Sequence, residues 1–205
     1  MKLAGAISLL LQYPDSETVR SARGLVADLG RTRGAPAAAV RAFAEGLEGV
    51  PLEELQRRYV ETFDFDARTS LHLTYHLHGD QRRRGAALIE LKQRYAACGL
   101  HLKEGAELPD YLPVVLEFVE LGPPGAGARL LAELRAPLEL VRSRLRERES
   151  PYALLLDAVV GQLPRLSRRE QERISDLAEV GPPTELVGLE PAPAAAGPPL
   201  PGAGP

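Results

Sequence analysis

From Leu3 to about Glu179, apolar residues in this chain recur three and four positions apart, and the two-residue alternation of a half-buried strand is nearly absent. A chain patterned this way buries its apolar stripes only against other helices. The punctuation agrees. A first amphipathic helix occupies the N-terminus, since the apolar run Leu3 to Leu11 is too short and too interrupted, by Gly5 and Ser8, to read as a signal peptide. Asp15 or Ser16 caps a second helix running to Gly30, and Ala37 to Gly49 forms a third. Pro51 stands at the first position of a fourth, whose buried stripe is Leu52, Leu55, Tyr59 and Phe63.

The Phe63-Asp64-Phe65-Asp66 segment breaks the pattern, and a new helix is expected from about Thr69 to Leu77. Gly79 ends it, and Asp80 caps the next, which continues to Cys98 with Leu88, Leu91, Tyr95 and Cys98 aligned. Gly99 to Leu108 reads as a connector. Asp110 reads as the N-cap of a helix from Tyr111 to Leu121, apolar on more than one side and therefore central to the bundle. Gly122 to Gly125 is a hard break, followed by helices at Pro137 to Glu149 and Pro151 to Leu163. Ser167 and Glu170 have the spacing of a capping box and start a final, polar helix. The expected fold is a single-domain all-α bundle of about nine or ten helices over residues 1–180. Residues 181–205, rich in Pro, Gly and Ala, form a disordered or weakly docked tail that buries too little apolar area to offset its ordering entropy.

Composition narrows the function. The formal charge is −3, from 25 basic and 28 acidic residues, so no basic excess exists to neutralise phosphates, and nucleic acid is not the expected partner. One cysteine, Cys98, excludes an intrachain disulfide framework and a CxxC zinc site. No stretch approaches the length of a membrane span, and stable membrane insertion is not expected.

Few residues suggest chemistry. His72 and His76 are four apart and would share a helix face, with Asp80 a further turn on, which is a possible metal spacing. No HExxH base accompanies them and Gly79 interrupts the helix, so packing or surface roles are preferred and no metal is assigned. Arg82-Arg83-Arg84 reads as a solvated face. The acidic set Glu107, Asp110, Glu117 and Glu120 lacks the Gly-rich loop, GxSxG elbow or Cys/His pair of a catalytic site, so neither an enzyme nor a cofactor is expected. The bundle reads as a binding device.

Three stretches together resemble one family. Tyr59 to Leu100, with the run FDFDARTSLHLTYHLHGDQRRRG, Glu107 to Leu121 (ELPDYLPVVLEFVEL) and Arg144 to Leu163 resemble the NarJ family of respiratory nitrate reductase assembly chaperones, as does the opening LLLQYPD. NarJ proteins group with the all-helical TorD and DmsD types of redox-enzyme maturation chaperone. The resemblance implies a cytoplasmic, non-catalytic chaperone. Its partner would be the apo catalytic (alpha) subunit of a nitrate reductase, bound through an N-terminal segment that is a relic of a twin-arginine signal. The subunit would be held ready for molybdenum cofactor insertion and membrane assembly, with another molybdoenzyme as the alternative client. Oligomeric state is left open. The TorD type carries a Glu-x-Pro-x-Asp-His-like signature; the matching stretch here is Glu107-Leu108-Pro109-Asp110-Tyr111, with Tyr111 in place of His, so histidine-dependent behaviour is not carried over. A peptide-binding mode needs an apolar trough with a charged rim. Leu73, Tyr75, Leu77, Leu112, Val115 and Phe118 are the candidate trough, and His76, Asp80, Arg83, Asp110 and Glu117 the candidate rim, with Glu107 and Tyr111 joining from the signature.

Overall fold

The computed structural model describes residues 2–79 and 82–180; the expected tail at 181–205 and the expected cap Asp80 lie outside these residues. Among the described residues there are eleven α-helices and no strand. They are α1 (Lys2–Leu10), α2 (Ser16–Asp28), α3 (Ala35–Glu45), α4 (Leu52–Phe63), α5 (Leu73–His78), α6 (Arg82–Ala97), α7 (Leu112–Leu121), α8 (Ala126–Glu133), α9 (Arg135–Glu147), α10 (Ala153–Val160) and α11 (Arg168–Val180). Single 3₁₀ turns occupy Leu29–Arg31 and Ala67–Thr69.

The local signals account for most boundaries. Asp15 caps α2, its carboxylate accepting from the backbone N–H groups of Glu17 (2.9 Å) and Thr18 (2.7 Å). Ser167 and Glu170 close the capping box of α11: the Ser167 N–H donates to Glu170 Oε2 at 2.7 Å and the Glu170 N–H to Ser167 Oγ at 3.3 Å. Three expectations are corrected. The bundle has one helix more than the nine or ten foreseen, because α8 follows the glycine-proline break directly. It has no side-chain cap to announce it and carries Gly127 in its first turn, and Gly125, in the left-handed region at φ 78°, makes the turn that starts it. The fifth helix begins at Leu73 rather than Thr69, since residues 70–72 are drawn out of helical conformation, with His72 at φ −84° and ψ 97°. Tyr111, not Asp110, is the N-cap of α7.

One continuous core runs through the bundle, from Ala4 of α1 to Val160 of α10. It is built mainly of Leu, Val and Ala, with an aromatic centre in which Tyr152 packs against Phe43 at 5.0 Å and Phe63 at 4.8 Å between ring centroids. α7 lies along α1 and against α8, and α10 lies along α3 and α9. Leu112, Val115, Leu116 and Phe118 of α7 are all buried, as are Leu155, Leu156 and Val159 of α10, each contributing about 1.5–3 kcal/mol relative to exposure. The sequence expectation that α7 is central holds in the fold.

The approach of α8 to α7 depends on Gly127. A methyl group there would stand 2.5 Å from the Val119 Cα, a distance that backbone cannot yield to cheaply. Gly127→Ala is expected to destabilise the fold by about 1–3 kcal/mol, read as a lower midpoint in urea unfolding with an unchanged slope, whereas Gly24→Ala, where a methyl would meet nothing within 4 Å, is expected to leave the midpoint unchanged or raise it.

Candidate functional site

The two motif-bearing segments, 63–78 and 107–121, meet at a single carboxylate. Asp110 is fully buried. Its Oδ2 accepts from the Thr74 hydroxyl at 2.6 Å and the Thr74 backbone N–H at 3.2 Å; its Oδ1 lies 3.3 Å from His72 Nδ1; and Arg84 of α6 brings a guanidinium nitrogen to 3.7 Å. The backbones join at the same place. The Leu73 N–H donates to the Asp110 carbonyl at 3.0 Å and the Leu112 N–H to that of Leu71 at 2.8 Å, an isolated antiparallel bridge pairing His72 with Tyr111. Burial pushes the Asp110 carboxyl up. The hydrogen bonds from His72 and Thr74, with the charges of His72 and Arg84, outweigh it and hold the group below its ordinary value.

Around this junction the polar groups of the motifs are consumed in holding chain to chain. The Tyr95 hydroxyl donates to the Pro109 carbonyl at 2.8 Å. Tyr111 stacks on His72 at 5.2 Å, and its hydroxyl meets that of Tyr59 at 3.0 Å. His76, buried, donates from Nε2 to the Ser70 carbonyl at 2.8 Å, and burial lowers its pKa, so the ring is neutral near pH 7. Asp66 ties the FDFD segment to α9: its carboxylate receives Arg144 Nε at 2.9 Å and the Arg68 backbone N–H at 3.0 Å, and these bonds, with one from the Arg68 side chain, overcome burial to hold it at about 2.

This geometry corrects the expected trough and rim. Leu73, Leu112, Val115 and Phe118 are in the core, Phe118 stacked on Tyr95 at 4.7 Å, because a helix apolar on several sides is enclosed by its neighbours rather than left as a groove wall. Asp110 and His76 are buried and bonded inward, so neither forms a rim. Tyr75, Leu77 and Tyr111 are half-buried, and Arg84 lies over the Tyr75 ring at 5.8 Å. Arg83, Glu107 and Glu117 are exposed, and Asp80 lies outside the described residues. His72 and His76 do not converge, one facing Asp110 and the other Ser70, and among the described residues no group of three or more His, Cys, Asp or Glu is placed to hold a metal.

The open apolar surface lies instead on either side of the 99–111 connector. One hollow, about 400 Å³, is lined by Tyr95, Leu100, Leu102, Val114, Phe118 and Leu121, with His101 and Glu117 at its edge. A second, about 950 Å³, runs between α6 and the connector along Leu88, Ile89, Leu102 and Leu108, edged by Lys92, Lys103, Glu104 and Glu107. Leu102 belongs to both. Ile89, Leu108 and Leu121 along these hollows are 60%, 42% and 67% exposed. Glu107 and Glu117 line these hollows, and of the expected trough residues Phe118 alone lines one of them.

Residues 32–156 match the family model described as nitrate reductase delta subunit. The chain belongs to that family. The delta subunit family match takes in the Asp110 junction and both hollows, and stops short of α11. The chain is 34% identical over 172 residues to a probable nitrate reductase molybdenum cofactor assembly chaperone NarJ of Bacillus subtilis, covering 80% of this chain and 90% of that protein. It is 39% identical over 160 residues to the nitrate reductase-like protein NarX of Mycobacterium tuberculosis, covering 74% of this chain but only 23% of NarX. A crystal structure of an Archaeoglobus fulgidus protein described as a redox enzyme maturation protein superposes with a TM-score of 0.58 over 78% of this chain and 91% of the other. At 23% identity that likeness shows a shared all-helical fold.

The junction makes stability depend on pH in a defined direction. The folded Asp110 carboxyl titrates below its ordinary value of 3.8, so its contribution is complete above about pH 4 and is lost as pH falls through the lower folded value. The folded His76 ring titrates below its ordinary 6.5, so the unfolded chain takes up the proton first and stability falls as pH drops below 6.5. Denaturant titrations at stepped pH are expected to show His76→Gln flattening the slope between pH 7 and pH 5. Asp110→Ala, which strands the Thr74 donors, is expected to cost about 3 kcal/mol at pH 7 and to flatten the limb below pH 4.

Proposed function

We propose that this protein is a non-catalytic, client-specific chaperone. It binds the apo catalytic subunit of a respiratory nitrate reductase in the cytoplasm, keeps it competent for molybdenum cofactor insertion, and releases it to assembly on the membrane. Family membership supports the system, since relatives such as the Bacillus subtilis NarJ carry that description. The observation that carries the binding role is the apolar surface flanking the connector, where Ile89, Leu108 and Leu121 stand in water beside one another's hollows. Among the described residues no helix is long and apolar enough to cross a membrane.

The surface suits an N-terminal segment of the client. An apolar floor with edges of mixed charge takes an amphipathic segment, with Leu, Phe or Tyr side chains entering the hollows and the backbone running along the connector. Glu104, Glu107 and Glu117 at the edges, beside Lys92 and Lys103, give arginines of such a segment carboxylates to pair with, as a relic of a twin-arginine signal would require. The floor is firm because both ends of the connector are held: Leu100 N–H bonds to the Tyr95 carbonyl at 3.0 Å, and Pro109 is gripped by Tyr95 Oη at 2.8 Å. Binding therefore need not order the floor first, which lowers its entropic cost.

A synthetic peptide from the N-terminus of the nitrate reductase catalytic subunit, titrated calorimetrically into the full chain, is expected to bind. Ile89→Asp and Leu121→Asp should each weaken binding by about tenfold or more, since each removes an apolar anchor worth more than about 1.4 kcal/mol. Both side chains are exposed, so the melting temperature should hold. Absence of binding by the folded protein would overturn the proposal, and unchanged affinity in both variants would move the client to another face.

A further inference from the structure

The helix α11 sits on the bundle through very few contacts. Of residues 168–179 none is buried, and only Ile174 and Leu177 are half-buried. Its side-chain hydrogen bonds close on itself: Ser167 with Glu170, Arg168 Nε to Glu172 Oε1 at 3.0 Å, and Ser175 Oγ to the Gln171 carbonyl at 3.1 Å. Its seat is α9. There Leu140, Ser143, Arg144 and Glu147, spaced as one stripe of a helix, face Leu177 across a hollow of about 530 Å³, with His76 in a further wall. An interface with an unfilled hollow forgoes dispersion contacts, and a helix of thirteen residues does not hold its conformation in water without packing. The neighbouring α10, by contrast, buries Leu155, Leu156 and Val159 completely.

The chain leading into α11 is held far better than the helix itself. Leu163 packs against the core, and Arg135, the first residue of α9, donates to the Pro164 carbonyl at 2.5 Å. This pins the chain beside the α9 seat, a few residues before Arg168 opens the helix. A helix tethered so close to its seat returns to it at an effective concentration near the millimolar range, without meeting another molecule. Weak docking and a firm tether together make an element that opens locally, well below the free energy that unfolds the core. The family match ends at residue 156, before this helix begins.

We propose that α11 is a reversible strap. It leaves and retakes the α9 face while the rest of the bundle stays folded, and while seated it keeps that face from any other amphipathic helix. The occupant of the face is this chain's own α11, held by Ile174 and Leu177. What the strap withholds is a seat for a helix carrying two aliphatic side chains three positions apart. The hollow beneath α11 shares no lining residue with the two beside the connector, so the strap does not depend on the client surface.

Hydrogen exchange on the full chain at pH 7 tests it. Amides of residues 172–178 are expected to exchange about a hundredfold faster than those of α10, or more, through an opening that low urea barely accelerates. In an Ile174→Asp, Leu177→Asp double variant the α11 amides should lose their protection while those of α10 keep most of theirs. A synthetic peptide of residues 167–180 should bind that variant at least tenfold more tightly than the unaltered chain, whose seat is taken. Exchange of α11 at the rate of α10 would overturn the proposal, as would loss of α10 protection together with that of α11 in the variant. Peptide binding that is equal in the two proteins, or absent from both, would overturn it too. So would α11 protection that rises with protein concentration, which would put a second copy's helix in the seat.

Discussion

Asp110 has no contact with water, yet it carries the charge that two distant parts of the chain require. Taking a carboxylate out of solvent costs several kcal/mol, and the cost is met only where every lone pair finds a donor. Here the donors are Thr74, through hydroxyl and backbone, and His72, with the Arg84 guanidinium beyond them. The penalty for any other arrangement makes the junction specific. It fixes where residues 70–72 leave the helical conformation, where α7 begins, and where the connector must end. The connector's hollows follow from that last constraint: with Pro109 held by Tyr95 and Asp110 buried, Leu108 has nowhere to go but the surface.

The fold class was legible because helical periodicity and caps are local. Asp15 with Thr18, and Ser167 with Glu170, involve residues three apart, so the sequence carries both partners side by side. Asp110 shows where locality ends. An Asp before an apolar run is equally a good N-cap and a good acceptor for a remote loop, and the choice was made by Thr74, thirty-six residues away. The helix α8 escaped for a different reason: it is short and starts without a side-chain cap, and it packs on α7 because Gly127 lets it settle on Val119.

The proposed client surface shares Glu107, Glu117 and Phe118 with the surface expected from the sequence, and little else. Glu107 and Glu117 edge the hollows. The apolar residues assigned between them, Leu73, Leu112, Val115 and Phe118, are those with the strongest stripes, and strong stripes are what a bundle buries first. The side chains left outside are the ones off the stripe. Ile89 follows Leu88 and precedes Glu90 on a helix whose inward line is Leu91 and Tyr95, and Leu121 stands at the last position of α7. A sequence shows that such residues are out of register with the core; it does not show whether another helix comes to cover them.

That division of labour suits the proposed chaperone role. Its motif residues are committed to the interior: the FDFD segment to α9 through Asp66 and Arg144, the LTYH segment to Asp110 and Ser70. Had they formed the surface, each client would have to compete with hydrogen bonds the fold needs. Because they lie beneath it, a client bound there as proposed would meet mainly side chains outside the core, beside a turn where Gly105 adopts φ 75° and the Ala106 N–H donates to the Lys103 carbonyl at 3.1 Å. Affinity then rests on a few apolar anchors with mixed charges around them, a combination that binds an exposed segment firmly enough to protect it and loses it once the client's own folding buries the same side chains.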